Sequence, residues 1–175
     1  TVTGRFSYSN PNLQQIPARH GEIGPMIRSL FIPEQDCQWG AFDYSSQEPR
    51  IVVHYAKLMN FRGASDFAEQ YNSDPRTDFH QMAATYHDKV PFVRELSEYS
   101  TNRASSRGVI RTLLGRRCRF DKWEPNKYGS WKPMTYQEAY AEHGPGIKRA
   151  FTYKALNKLI QGSAADQTKA AMVAL

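Results

Sequence analysis

Apolar positions along the chain change period several times, and each change marks an element. Ile51, Val52, Tyr55, Leu58 and Met59 recur at helical spacing. Ser45 and Glu48 just ahead of them have the spacing of a capping box. A helix opening at Ser45 or Ser46 follows, with Pro49 in or just after its first turn, where N–H groups lack intrahelical partners. "ASDFAEQY" and "TDFHQMAATYH" predict two short amphipathic helices, separated by Asn72–Asp74 and Pro75. "PFVRELSEYSTNRASSRG" predicts a longer helix that stops at Gly108. "VIRTLLGRRCRF" alternates around Gly115 and reads as a hairpin. After the polar loop "DKWEPNKYGSWKP", Thr135 and Glu138 form a second capping box ahead of a helix closed by Gly144-Pro145-Gly146. Lys148 to Leu175 is the longest helical stretch, with Phe151, Ala155 and Leu159 on its buried side and Leu156 and Ile160 beside them.

The first 36 residues are turn-rich, with Asn10-Pro11, Ile16-Pro17, Gly24-Pro25 and Ile32-Pro33, and hold one short strand around Ile27–Ile32. "CQWGAFDY" reads as a strand ending at Tyr44. Mixed elements of this kind give an α+β fold. No internal repeat or low-complexity tract interrupts them.

Composition narrows the class. The chain has 175 residues, with 40% hydrophobic and 23% charged, an ordinary globular balance large enough for a real core. No apolar run is long enough to span a bilayer, and the opening "TVTGRFSYSN" is too polar for a signal peptide. Cys37 and Cys118 give neither a zinc spacing nor a disulfide framework, so a reducing compartment is expected. The net charge of +6 is concentrated between Arg103 and Lys122, where seven cations face only Asp121. Such a stretch suits a polyanion, or equally forms a solvated basic face.

Several places carry candidate chemistry. Asp43 lies where the expected strand hands over to the helix; a carboxylate held there could bind Mg²⁺ through hard oxygen ligands, or could serve as a turn residue. Glu48 could do chemistry, or simply close the capping box and meet the helix dipole. Tyr153, Asn157 and Gln161, four apart, would share one helix face beside Lys154 and Lys158. Amides there could bond the minor-groove acceptors of base pairs, or the face could be merely solvated. In the "GSAAD" that follows, Gly162 costs about 1 kcal/mol relative to Ala inside a helix, and its small neighbours let something approach the backbone closely. Arg5, Asn12 and Gln14 sit on a turn-rich segment that could lie along a nucleic-acid backbone. His80 and His87, two turns apart with Asp78 nearby, lack further ligands at metal-site spacings.

Together these stretches resemble the palm of family A DNA polymerases, the group of bacterial DNA polymerase I and many phage replicases. "TVTGRFSYSNPNLQQIP" resembles the family's T-x-T-G-R-x-S…P-N-L-Q-x-I-P stretch, and "DYSSQEPRIVVHYA" its motif A, D-Y-S-x-I-E-x-R. "TYKALNKLIQGSAADQTKAAM" is similar to the palm helix ending in Q-G-[ST]-A-A-D. Gln47 and Pro49 replace motif A's usual aliphatic positions, a departure associated with phage-type members. The resemblance implies a palm of antiparallel sheet with packed helices plus partial helical fingers. It divides the chain into 1–56 (palm, with the metal-binding motif), 57–122 (partial fingers) and 123–175 (an insertion loop and the palm helix).

It implies template-directed DNA synthesis in replication: a primer 3′-hydroxyl attacks the α-phosphate of a deoxynucleoside triphosphate, aided by two Mg²⁺ ions. Asp43 and the Tyr44 carbonyl would be metal ligands. Tyr44, Ser45, Gln47 and Glu48 would line the nucleotide, with Glu48 disfavouring a 2′-hydroxyl. Arg5, Asn12, Gln14, Lys154, Asn157 and Gln161 would contact primer–template DNA, although Tyr153 stands where the family often has an arginine. No membrane partner is implied.

The family's R-x3-K-x6-Y-G helix, which holds the triphosphate, has no match. Against the family pattern, roughly fifty residues would be skipped near Val90–Pro91, several helices' worth at ~1.5 Å per residue. The H-D-E motif with the second metal-binding aspartate is expected after Leu175. The chain by itself is therefore expected to be inactive and to need the remainder of the polymerase chain. Two rivals are a non-catalytic DNA-binding remnant and the palm of a single-subunit RNA polymerase, against which Glu48 argues.

Overall fold

The computed structural model describes residues 1–17, 20–85 and 90–174, without the side chains of His80 and Thr85. The suggested His80–His87 pairing lies outside these described residues. The chain divides into two compact units. One comprises Arg5–Tyr44 with Thr1; the other begins at Ser45 and takes in Val2–Gly4.

The first unit has little regular structure. Asn12 caps a 3₁₀ turn, Leu13–Gln15, its side chain accepting from the Gln14 amide at 3.1 Å. Helix α1 spans Ile23–Arg28. The strand expected around Ile27–Ile32 is therefore absent: Ile27 and Arg28 end the helix, and the Ser29 amide still bonds the Pro25 carbonyl at 2.9 Å. Pro25 falls in the first turn of α1, where its missing N–H costs nothing. The strand expected over "CQWGAFDY" is absent too, and that stretch is irregular. A strand needs a partner for its N–H and C=O groups, and among the described residues none pairs with this one. Trp39 is 68% and Phe42 82% exposed, so the apolar positions bury nothing here.

The second unit is built around α2 (Gln47–Leu58). Its N-cap is Ser46, in the left-handed region at φ 52°, without a side-chain cap. The expected Ser45–Glu48 box is thus not formed: the helix starts one residue later, which places Glu48 in its first turn. Pro49 sits there harmlessly, as its spacing suggested. The helix is buried on two sides rather than along one stripe. Ile51 and Tyr55 join Leu96, Ile110, Phe120, Leu159 and Ile160 in one core cluster. Val53 and Ala56 join Phe67, Tyr71, Met82 and Phe92 in another. Leu58, expected in the stripe, is exposed.

Helices α3 (Ala64–Ser73) and α4 (Phe79–Thr85) supply the second cluster, where Phe67 and Phe92 meet edge to face at 5.0 Å. Helix α5 spans Pro91–Arg107 and ends as expected on Gly108, whose φ of 67° suits the left-handed C-cap. The hairpin follows as expected: β1 (Val109–Arg111) pairs antiparallel with β2 (Arg117–Arg119), Ile110 opposite Cys118.

The segment expected to be all loop contains a strand, β3 (Trp123–Pro125), paired antiparallel with β4 (Ile147–Arg149). In a two-stranded sheet every strand is an edge, so Pro125 is tolerated. Between them lies α6 (Tyr136–His143), opened by the predicted capping box: the Glu138 amide donates to Thr135 Oγ1 at 3.3 Å, and the Thr135 amide to Glu138 Oε2 at 2.9 Å. The last helix, α7, spans Ala155–Ala174. It starts seven residues after Lys148, because Ile147–Arg149 is strand, Phe151 is left-handed at φ 61°, and Thr152–Lys154 is a 3₁₀ turn. Phe151 is accordingly exposed, while Ala155 and Leu159 are buried as expected.

Candidate functional site

In the first unit, Asn12 and Gln14 brace the turn they flank: Asn12 caps it, and Gln14 Nε2 donates to the Phe6 carbonyl at 3.1 Å. Both side chains, with Arg5, lie on the exposed surface. Asp43 and Tyr44 end the unit, also exposed.

In the second unit, the start of α2 is anchored twice. Gln47 Nε2 approaches the Ala164 carbonyl (3.2 Å), Gln167 Oε1 (3.1 Å) and Thr168 Oγ1 (3.3 Å), which ties the first turn of α2 to the middle of α7. Two amide hydrogens are shared among three acceptors. Arg50 donates from Nε to the Ser45 carbonyl at 3.0 Å and from Nη2 to the Pro75 carbonyl at 2.5 Å, while its guanidinium lies 4.3 Å from the Tyr71 ring centroid. It therefore fixes the loop entering α2 against the end of α3. Glu48, half-buried, is carried on this braced turn.

Helix α7 carries Asn157 and Gln161 four residues apart, Asn157 exposed and Gln161 half-buried. Tyr153 does not continue that face, since it lies in the 3₁₀ turn before the helix and is 69% exposed. Lys154 sits beside it, its ammonium 4.8 Å from the Phe151 ring centroid and 5.5 Å from that of Tyr153. Lys158 lies over Phe120 at 4.1 Å; burial, helped by nearby Lys154, pulls its pKa below the ordinary lysine range.

The approach that Gly162 permits is made by Arg116. Its guanidinium donates from Nη2 to the carbonyls of Thr3 (2.7 Å) and Gly162 (3.1 Å), and from Nε to Asp166 Oδ1 at 2.7 Å. Asp166 Oδ2 accepts from Thr112 Oγ1 at 2.5 Å. A β-carbon on Gly162 would come within 2.8 Å of Arg116 Nη2, and one on Gly4 within 2.9 Å of Arg116 Cζ. Two glycines thus flank one guanidinium. Beneath it Ser163 Oγ donates to the Leu159 carbonyl (2.7 Å) and accepts from the Leu113 amide (3.0 Å). Its one proton is used, so Tyr55 is the donor in the 3.1 Å contact between the two hydroxyls. Burial raises the Tyr55 phenol above its ordinary pKa of 10.0.

Arg116, Asp166, Thr112, Tyr55 and Ser163 were not singled out by sequence. Arg116 was counted among surface cations, yet its charge is spent internally. The signal that pointed to it was Gly162, a helix-interior glycine implying a close neighbour. Among the described residues no three His, Cys, Asp or Glu side chains form a metal-holding group.

The structure is similar to the polymerase domain of Pol1 from M. smegmatis, solved with DNA primer-template and dNTP (TM-score 0.56, 24% identity, covering 99% of this chain and 35% of that one). The model of DNA polymerase family A matches residues 1–85 and 62–175, and the chain belongs to that family. Among relatives, a DNA-directed DNA polymerase of Pseudomonas phage M6 is 31% identical over 98% of this chain and 35% of its own length. DNA polymerase I of Lactococcus lactis subsp. cremoris is 28% identical over 100% of this chain and 23% of its own length. The chain thus spans about a third or less of these relatives. The phage alignment runs over 254 positions against 175 residues here, so that relative carries segments this chain lacks.

Proposed function

We propose that this chain is the palm, with part of the fingers, of a template-directed DNA polymerase that extends a primer with deoxynucleotides. The observation that carries this is the tie between Gln47 and α7, which holds the turn bearing Glu48 against the helix bearing Asn157 and Gln161. A nucleotide-selecting carboxylate and a DNA-reading amide face are thereby held on one rigid frame.

Each residue then has a role. Glu48 sits under the sugar of the incoming nucleotide, where a 2′-hydroxyl would be disfavoured. Tyr44 and Ser45 border the nucleotide, and Gln47 acts as a positioning residue through α7. Asn157 and Gln161 meet base edges from the minor groove, with Lys154, Arg5, Asn12 and Gln14 on the sugar-phosphate backbone. The Asp43 carboxylate and the Tyr44 carbonyl are hard oxygen donors that suit Mg²⁺, which takes one or two carboxylates plus substrate phosphates. When bound, two such ions would activate the attacking hydroxyl and stabilise the leaving pyrophosphate. The three-part division into palm, partial fingers and insertion-plus-palm helix belongs to the same proposal. So does a cytoplasmic setting in a bacterium or phage-infected cell; among the described residues no helix is long and apolar enough to cross a membrane.

The test is primer extension by the intact polymerase that contains this segment. Asp43→Ala should abolish extension and leave primer–template affinity largely intact, whereas collapse of affinity as well would make Asp43 structural. Glu48→Ala should raise ribonucleotide incorporation; an unchanged sugar preference removes its assignment.

A further inference from the structure

The segment between the hairpin and α7 presents a feature the polymerase roles do not use. Tyr136 and Tyr140 stand one turn apart on α6, their ring centroids 5.8 Å apart and their planes 29° apart, so the rings stack. Trp123 of β3 meets Tyr136 edge-on at 5.0 Å, and the Arg149 guanidinium lies 4.5 Å from the Trp123 centroid. The run Arg149–Trp123–Tyr136–Tyr140 is therefore continuous. It is not core. Tyr136 is 51% and Tyr140 49% exposed, while Ala139 is fully buried and the capping box holds the helix start. The anchorage of α6 is elsewhere, and the tyrosine rings stand outside it.

Cations flank the run. Lys122 and Lys132 lie near enough to Glu138 to favour its charged form, and neither forms an ion pair among the described residues. Of the nearby acids, Glu138 is in the capping box, Glu124 meets Lys148 at 3.8 Å and Glu142 meets His143 at 3.3 Å, while exposed Asp121 precedes Lys122. Stacked open rings edged by positive charge fit a strand of unpaired bases, since every base has a face to stack and every link a phosphate to neutralise.

We propose that α6 and β3 form a stacking platform for single-stranded nucleic acid, separate from the α2 and α7 residues to which the polymerase roles are assigned. Bases lie on Tyr136 and Tyr140, and Lys122 and Lys132 neutralise phosphates. Binding is tolerant of sequence and weakens as salt rises.

Fluorescence anisotropy of this chain with labelled oligo(dT), and with an abasic oligomer of equal length, tests it. Oligo(dT) should bind about tenfold more tightly than the abasic strand, which has the charge without the rings. Tyr136→Ala/Tyr140→Ala should lose most of that preference, and Tyr136→Phe/Tyr140→Phe, which keeps the rings, should retain it. Equal binding of the two oligomers, or a full preference in the alanine variant, overturns the platform and leaves the strip to a protein partner.

Discussion

Gly162 and Arg116 are in contact because Gly162 has no side chain: a β-carbon there would lie 2.8 Å from Arg116 Nη2 and 2.9 Å from Thr112 Cγ2. Elsewhere in a helix, Gly→Ala gains about 1 kcal/mol from backbone entropy. Here the guanidinium cannot easily retreat, since Asp166 and two carbonyls hold it.

Gly162→Ala should therefore destabilise the chain by ~1 kcal/mol or more, as overpacking outweighs the helix gain. Urea denaturation checks the sign. In an Asp166→Ala background the arginine is freed to move, so the penalty should shrink, and a double-mutant cycle should show coupling between positions 162 and 166.

Ser163→Ala should cost more than Tyr55→Phe. The first leaves both the Tyr55 hydroxyl and the Leu113 amide without their acceptor, about 2 kcal/mol. The second removes one donor from a hydroxyl that keeps two partners, about 1 kcal/mol. Equal losses in denaturation would contradict the assigned donor directions.

Much of the second unit was legible because its signals are local. Gly108 stops α5, Thr135 and Glu138 open α6, and Gly115 turns the hairpin, each through groups within a few residues of one another. What failed depended on distant partners. The apolar alternation of 37–44 marks a strand, but a strand's hydrogen bonds come from another segment. The start of α7 was obscured because helical spacing runs unbroken through Phe151, whose left-handed backbone no periodicity reports. Asp43, Glu48, Asn157 and Gln161 carry proposed roles through motifs that lie within short stretches of sequence. The Arg116–Asp166 pair was not legible in this way, because it joins residues 50 apart to a carbonyl 113 residues from Arg116.

The two cysteines should differ sharply toward a thiol reagent. Cys37 is exposed and Cys118 buried. Burial pushes the Cys118 thiol above its ordinary pKa of 9.0, against the pull of Arg116 and Lys158. Near neutral pH the reagent should modify one thiol promptly and the second only when denaturant is added, as intact-mass measurements would count.

Acid should selectively weaken the α6 cap. Hydrogen bonds from the Thr135 amide and hydroxyl hold the Glu138 carboxyl below its ordinary value of 4.5. A carboxyl depressed in the folded state contributes stability above its unfolded pKa and loses it as pH falls through the folded one. The advantage of the wild type over Glu138→Gln should thus be present near pH 7 and fade below about pH 4.5. Denaturation midpoints across that range test this, and a difference that grows in acid would refute it.

The clasp around Arg116 draws on Thr3 and Gly4, on the hairpin that carries Arg116, and on Gly162 and Asp166 in α7. Three stretches far apart in the chain therefore act as one packing unit. A change that removes any one of them leaves an arginine without its slot, or a slot without its arginine.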